Sequence, residues 1–240
     1  MQTLRLSATT LAALVVLTGC SSTTEPASNA SAGSVAPAAG VGSSTCSYPK
    51  DGDPTKPVDP PSTSHIPDTG TSLVTMTVDD EPVALTLDRA GAPCTVNSFE
   101  SLARQGWFTN TKCHRLTDQR IFVLQCGDPS GKGTGGPGYV FDDELTTAKA
   151  QTKTGQKDAQ GNDVVVYPKG TLAMANRGPA TNGSQFFMVY ADSPLPAAYT
   201  VFGHLDAAGL EQVQKIAAQG VAADNTSANA PAQISTVTMG

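Results

Sequence analysis

The chain is short of charge, of aromatics and of histidine, and each shortage narrows what it can be. Asp, Glu, Lys and Arg make up 15% of its 240 residues and leave a net charge of −6 at pH 7, where an ordinary soluble domain carries about 25% charged residues. Neutralising phosphates takes clustered Lys and Arg, so no nucleic-acid partner is expected. Aromatics are one Trp, five Tyr and seven Phe, and only Tyr48 precedes residue 71. A stretch so poor in large apolar side chains cannot build a core of its own, which confines the globular part to residues 71–240. The histidines are three, His65, His114 and His204. With no H-E-x-x-H helix, no C-x-x-C and no His pair at ligand spacing, no metal site is expected. Long apolar runs, a strict glycine period and sustained heptads are all missing, which excludes a multi-span membrane protein, a collagen and a coiled coil.

What is present begins with the lead. Arg5, an apolar stretch from Leu11 to Leu17 and then Leu17-Thr18-Gly19-Cys20 have the layout of a secretory signal peptide over residues 1–19. The apolar run is shorter than the ~20 residues a spanning helix needs. Ending on a cysteine, the motif resembles a bacterial lipobox. That implies cleavage before Cys20 and a diacylglyceryl thioether on its sulfur, with further acylation (palmitate) holding the chain on the cytoplasmic membrane from outside. An ordinary signal peptide next to a chance cysteine is the plainer alternative. Residues 20–70 are first Ser/Thr/Ala-rich and then Pro-rich, through Pro49, Pro54, Pro57, Pro60, Pro61 and Pro67. They are expected to act as a tether, flexible and then stiffer, docking on the domain near Cys46 and Tyr48.

With Cys20 set aside, Cys46, Cys94, Cys113 and Cys126 remain, an even number suited to an oxidising compartment. Four cysteines allow three pairings. Cys113 and Cys126 flank a hairpin-like stretch, which favours joining them and leaves Cys46 with Cys94; buried free thiols are the alternative.

Period-2 alternation marks strands at Leu73–Val78 and Val83–Leu87, with Asp79–Pro82 as their turn. Further strand-like stretches are Lys112–Leu116, Phe122–Gln125, Thr171–Met174, Phe186–Tyr190, Thr200–His204 and Ile234–Thr238. A helix is predicted from Ser98 to Gln105, capped by Thr95 or Asn97 and stopped at Gly106, and a second from Leu210 to Ala218, stopped at Gly220. Many short strands with two helices give a mainly β fold, a closed antiparallel barrel capped by helices. The polar residues 145–168 read as a surface insertion.

The familiar catalytic constellations fail. There is no G-x-S-x-G elbow, and Gly131-Lys132 is followed by Gly133 rather than completing a Walker A loop. Gly131 to Gly136 matches G-x-G-x-x-G, but Pro137-Gly138 stands where a dinucleotide fold would open a helix.

Two ordered clusters carry the function. His114-Arg115-Leu116, Phe122-Val123-Leu124-Gln125-Cys126-Gly127-Asp128 and Gly133-Thr134-Gly135-Gly136 form the first. Leu172-Ala173-Met174-Ala175-Asn176 and Thr181-Asn182-Gly183-Ser184-Gln185-Phe186-Phe187 form the second. With Phe141-Asp142-Asp143-Glu144 between them and Tyr199 to Gly203 after, the chain from about residue 71 to 240 resembles a cyclophilin-type peptidyl-prolyl cis–trans isomerase, of a bacterial, actinobacterial-like lipoprotein kind. The resemblance implies an eight-stranded barrel with two capping helices, activity on X–Pro bonds of unfolded or flexible polypeptides, no cofactor, and a monomer.

It also implies roles. Arg115, Gln125 and Phe122 form the catalytic set. His114, Val123, Ala175, Asn176, Arg177, Phe187, Leu195 and Tyr199 are expected to bind substrate, with the Asn176 backbone holding an extended peptide. By strand alternation Phe186 belongs to the core and Phe187 to the pocket. The sequence departs from the common family pattern in a hairpin two residues longer after Arg115, in Val123 where Met is frequent, in Arg177 after Asn176, in Pro194 where many members carry Trp, and in Tyr199 where His is common. The expected role is assistance to the folding of exported proteins at the cell envelope; the alternative is a catalytically weak module, chaperone or adhesin, that only binds proline-containing peptides.

Overall fold

The structure, a computed structural model, describes residues 42–240; the expected signal peptide, Cys20 and the first part of the tether lie outside the described residues. Two short strands come first, β1 (Ser43–Ser44) and β2 (Ile66–Pro67), followed by the hairpin β3 (Thr71–Val78) and β4 (Glu81–Asp88). Helix α1 (Pro93–Arg104) leads to β5 (Thr111–Lys112), β6 (Arg115–Gln119) and β7 (Ile121–Cys126). After the one-turn α2 (Thr146–Lys149) come β8 (Lys153–Lys157), β9 (Asp163–Tyr167), β10 (Thr171–Met174), β11 (Phe186–Val189), β12 (Ser193–Pro196) and β13 (Val201–Leu205). Helix α3 (Ala207–Ala217) and β14 (Gln233–Met239) finish the chain.

The main sheet is antiparallel and curled, in the order β5-β14-β3-β4-β13-β10-β11-β7-β6. Its outer members, β5 and β6, are consecutive in the chain with only Cys113 and His114 between them. One bent run thus pairs with β14 on one side and β7 on the other, and counted as one strand it makes the expected eight. Alternation follows from the pleat: Val74, Met76 and Val78 of β3 and Val83, Leu85 and Leu87 of β4 are fully buried between more exposed neighbours. The concave side is filled by these residues, by Leu116, Leu124, Leu172, Met174, Phe186 and Phe202, and by Phe99 and Leu102 of α1 and Val213 and Ile216 of α3.

The β3–β4 connection is tighter than expected. Asp79 and Asp80 take positive φ of 48° and 64°, a two-residue turn whose twist suits a hairpin, and Pro82 sits inside β4. Helix α1 starts earlier than predicted, at Pro93, and neither Thr95 nor Asn97 caps it. The cap comes from far away: the Glu144 carboxylate accepts the backbone N–H groups of Cys94 and Thr95 at 3.0 and 2.9 Å and the Thr95 hydroxyl at 2.7 Å. A carboxylate among the free N–H groups of a first turn also complements the helix dipole. Gly106 closes the helix with φ of 69°. Helix α3 begins at Ala207, where the Asp206 side chain accepts from Gly209 N at 2.7 Å.

Two segments differ from the sequence expectation more deeply. Within the stretch expected to be tether, residues 42–70 form an ordered strap instead. Tyr48, Cys46 and Ile66 are buried in the main core, the Cys46–Cys94 disulfide ties the strap to α1, and residues 49–55 bond along the Gly136–Val140 loop through Asp51 N to Gly138 O, Thr55 N to Gly136 O and Val140 N to Pro49 O, at 2.9–3.0 Å. The 145–168 segment is likewise more than a surface insertion. It supplies α2, β8 and β9, and β9 pairs with β12 in a three-stranded sheet that buries Val165 and Tyr167 on the convex side of the main sheet.

Candidate active site

The site is built on the outward faces of β6, β7, β10 and β11. Arg115 stands opposite Gln125 in the β6–β7 ladder, and Gln125 opposite Phe187 in β7–β11. Cross-strand neighbours on one face are within side-chain reach. Accordingly Arg115 Nη1 donates to Gln125 Oε1 at 3.2 Å. Gln125 Nε2 in turn donates to Gln185 Oε1 at 2.9 Å, and Gln185 Nε2 donates to the carbonyls of Gly133 and Gly135, both at 3.0 Å. The guanidinium is therefore aimed by a chain of amides anchored in the glycine-rich loop. A second buried bond network steadies that loop: Asp128 accepts from Ser130 N and Oγ at 2.7 Å and from Gly135 N at 3.0 Å. Burial alone raises the Asp128 carboxyl, yet the donors of Gly135 and Ser130 outweigh it and hold the group below the usual carboxylate value.

Beside Arg115 opens a cavity of about 180 Å³, lined by Arg115, Ile121, Val123, Gln125, Ala175, Asn176, Phe187, Leu195 and Tyr199. Its floor is a small outer core of Val123, Val165, Tyr167, Ala173, Phe187, Ala197 and Val201. Phe187 and Tyr199 meet edge to face at 5.6 Å, and Tyr167 lies below them. The Tyr167 hydroxyl donates to Pro196 O at 3.0 Å and accepts Tyr199 N at 3.3 Å, which pins the Tyr199 loop. Asn176 spends its side chain inward, Nδ2 donating to Ala198 O at 2.9 Å and Oδ1 accepting from Gly178 N at 3.2 Å; that fixes its backbone at the cavity edge.

The structure thus brings together Arg115, Gln125, Val123, Ala175, Asn176, Phe187, Leu195 and Tyr199. It does not bring in Phe122. Val123 and Gln125 face the cavity, so Phe122 turns to the other face, edge-on to Tyr190 at 5.8 Å, and Ile121 takes a place on the wall. The alternation Ile121, Val123, Gln125 was the available signal. His114 is also displaced from substrate: it is buried behind β6, against Gly133. Burial, only partly opposed by the nearby Asp128 carboxylate, holds its imidazole below the usual histidine value and favours the neutral form. Arg177 lies outside this cavity, exposed, its Nη2 on Asp51 Oδ2 at 2.5 Å. Ser184 is buried and its hydroxyl donates to Gly127 O at 2.7 Å, a structural use. Cys113 and Cys126, bonded to each other, flank the Arg115–Gln125 pair. Neither Gln185 nor Tyr167 was given a role from the sequence, and of the strap only its docking near Cys46 and Tyr48 was expected, which the burial of both and the Cys46–Cys94 bond bear out.

A second cavity of about 240 Å³ adjoins the first, sharing Gln125, Ala175 and Asn176 with it. Its walls are the Gly133–Val140 loop, Arg177, Thr181, Gly183 to Gln185, and Asp51, Asp53 and Thr55 of the strap.

Comparison with known proteins bears on the family and the fold. The family model for "Cyclophilin type peptidyl-prolyl cis-trans isomerase/CLD" matches residues 73–239. The "Probable peptidyl-prolyl cis-trans isomerase B" of Mycobacterium leprae is 51% identical over 180 residues, 74% of this chain and 60% of that protein. Its namesake in Mycobacterium tuberculosis is 51% identical over 189 residues, 78% of this chain and again 60% of that protein, so the match spans about three fifths of these relatives' length. The crystal structure of a cyclophilin-type isomerase from Cryptosporidium parvum superposes with a TM-score of 0.55 at 26% identity, covering 71% of this chain and 98% of that one. A further structure of that protein, determined in the presence of the dipeptide Ala-Pro, superposes with a TM-score of 0.54 at 26% identity, covering 70% of this chain and 98% of that one. With its residues matched from β3 to β14, the chain belongs to the cyclophilin-type peptidyl-prolyl cis–trans isomerase family.

Proposed function

We propose that this chain is a peptidyl-prolyl cis–trans isomerase that assists the folding of exported proteins at the outer face of a bacterial cytoplasmic membrane. The observation that carries the reading is a single juxtaposition: the Arg115 guanidinium, oriented by Gln125 at 3.2 Å, lines a cavity of about 180 Å³ together with the apolar side chains of Ile121, Val123, Phe187 and Leu195.

The chemistry follows from the X–Pro bond. Rotation about it breaks amide resonance against a barrier of ~20 kcal/mol, which makes the uncatalysed exchange take tens of seconds or more. The rotation needs no nucleophile, acid or metal. It is accelerated by any group that binds the twisted amide better than the planar one. As resonance is lost, the imide nitrogen regains a lone pair that accepts a hydrogen bond. Arg115 offers fixed, permanently charged donors to it, and the amide chain through Gln125 and Gln185 holds them in place before substrate arrives. Val123, Phe187, Leu195 and Tyr199 enclose the pyrrolidine ring, while the Asn176 backbone pairs with the extended peptide. The dipeptide Ala-Pro, present with the Cryptosporidium parvum relative, is the class of ligand such a cavity fits.

The cellular placement rests on other observations. Leu17-Thr18-Gly19-Cys20 resembles a lipobox, and two disulfides suit an oxidising compartment. Attachment through a lipid on Cys20 leaves the domain facing exported, still flexible chains that contain proline.

Two measurements test this. Addition of the protein to an X–Pro peptide should speed cis–trans exchange, seen as line broadening or exchange cross-peaks in NMR; bound peptide without faster exchange would replace the enzyme by a binding module. Cys20→Ala should move the protein from the membrane fraction to the soluble one, and unchanged fractionation would remove the anchor from the account.

A further inference from the structure

The second cavity has a wall that lies ahead of the family-matched residues 73–239. Residues 49–55 of the strap run along the Gly136–Val140 loop, joined by backbone bonds at both ends of the stretch, and Thr55 Oγ1 accepts Gly136 N at 3.0 Å. The two are matched in shape as well. A Cβ at Gly138, which has φ of 79°, would come within 2.9 Å of Pro54 Cδ, so glycine is what lets the strap lie this close. Through the Cys46–Cys94 bond and the packing of Tyr48 the strap is a fixed part of the groove.

The strap also decides the charge of that groove. The charged side chains on the cavity wall are Asp51, Asp53 and Arg177. Two carboxylates and one guanidinium leave the wall one net negative charge, and Arg177 faces Asp51 at 2.5 Å, with Asp53 farther along the same strap. Lys50 approaches Asp53 at 3.4 Å, but both side chains are more than three quarters exposed, and a contact so open to water contributes little. Lys132, in the same glycine-rich loop, and Asp143, which is held by Asn176, Ala180 and Asn182, are not on the wall. The remaining lining is uncharged, glycine, Ser, Thr and amide together with Pro137, Tyr139, Val140 and Ala175, and the Gly133 and Gly135 carbonyls accept from Gln185 there.

Because the two cavities share Gln125, Ala175 and Asn176, a peptide with its proline in the first places a neighbouring side chain in the second. We propose that the strap, through Asp51 and Asp53, makes this second cavity select for a Lys or Arg side chain close to the prolyl bond and against Asp or Glu. Asp51 withdraws Arg177 from service as an anion receptor, and Asp53 supplies the net negative sign. This inference rests on the isomerase reading and names its substrate preference.

The test uses X–Pro peptides carrying Lys, Ala or Glu two or three residues from the proline, on either side, at low salt. For the wild-type protein the ratio of kcat/KM for the Lys peptide to that for the Glu peptide should be well above one at the favoured position, about fivefold for each unit of charge by which the two side chains differ, the size expected for one charge a few ångströms away in a solvated cleft, and it should shrink as salt is added. In the double variant Asp51→Asn/Asp53→Asn, both positions being exposed, Arg177 is left as the wall's one charge and the ratio should fall below one. A wild-type ratio of one or less, or a ratio unmoved in the variant, overturns the proposal. If no peptide is turned over above background, the isomerase reading fails separately, and the same ratios, taken from dissociation constants by titration calorimetry, still decide the charge preference.

Discussion

Phe186 and Phe187 are adjacent in β11 and face opposite sides of one sheet. Phe186 is wholly buried on the concave side, with Phe99 and Phe108 at 5.3 and 5.6 Å, in a core to which the main-sheet strands, α1, α3 and the strap all contribute. Phe187 is on the convex side, over a much smaller cluster that floors the reaction cavity, against Tyr199 and Tyr167. Strands β7, β10 and β11 thus hold the molecule together with alternate residues and present a site with the others. The comparison teaches that stability and activity are written on the same strands but on separable faces. A concave-side change should act on folding first, and a convex-side change on catalysis first.

The largest effect should come from emptying the concave side. Phe186→Ala is expected to lower stability by ~3–5 kcal/mol, the range for a large buried aromatic replaced by alanine. Phe187→Ala, whose space opens onto an existing cavity, should cost less stability but at least tenfold in kcat/KM. Urea denaturation of the two variants decides it: a Phe187→Ala loss equal to or larger than that of Phe186→Ala would break the comparison.

Next comes the strap. Removing the Cys46–Cys94 bond by the double change to serine frees a loop with a sequence separation of 48 residues, for which chain entropy predicts a loss of ~4 kcal/mol or somewhat less. The melting temperature of the variant should drop by many degrees; an unchanged value would mean the strap is not part of the folded unit.

A smaller effect is expected at the cap of α1. Glu144→Ala deletes the acceptor for Cys94 N, Thr95 N and the Thr95 hydroxyl and should cost ~1–2 kcal/mol in the same measurement. It acts on the concave side, because α1 carries Phe99, so the activity remaining at temperatures well below the transition should change little.

The mildest is a pH effect. Burial raises the Glu100 carboxyl, but hydrogen bonds from Ser72, Arg104 and Arg89 overcome this and leave it below the usual glutamate value; Asp128 is lowered in the same way. A carboxyl with a depressed folded-state pKa contributes stability that is present above its unfolded value, near ~4, and is lost as the pH falls through the folded one. The urea midpoint should therefore decline as pH is taken from 6 towards 3, and Glu100→Gln should flatten that decline. A midpoint that holds steady or rises on acidification would contradict the assignment.

Much of this was legible because it is local. The alternation in β3 and β4, the glycine that ends α1 and the opposite facing of Phe186 and Phe187 all follow from a two-residue or 3.6-residue period, which neighbouring residues carry themselves. The parts that were not legible depend on distant partners. The strap has the composition of a flexible linker; its docking near Cys46 and Tyr48 was legible from the cysteine pairing, but the order of residues 49–55 comes from bonds to the Gly136–Val140 loop, some 80 to 90 residues away. Helix α1 starts at Pro93, where a proline suits the first helical position, and its free N–H groups are capped by the distant Glu144 rather than by Thr95 or Asn97. The 145–168 segment reads as a solvated insertion because it is polar and rich in Lys, Gln and Asp, and β8 is indeed exposed along its whole length; yet Val164-Val165-Val166 in β9 is a strand signal, and Val165 and Tyr167 lie in the floor of the site. Phe122 gave way to Ile121 once Val123 and Gln125 faced the cavity, because the pleat does not let three successive residues share a side.

The central claim, that a guanidinium on the convex face catalyses rotation of the X–Pro bond, is tested most directly by Arg115→Ala. Its side chain is partly exposed and stands outside the concave core, so the urea midpoint should stay close to that of the wild type. In a protease-coupled assay on a proline peptide, kcat/KM should fall by a hundredfold or more, toward the uncatalysed rate. A variant as stable and as fast as the wild type would contradict the account.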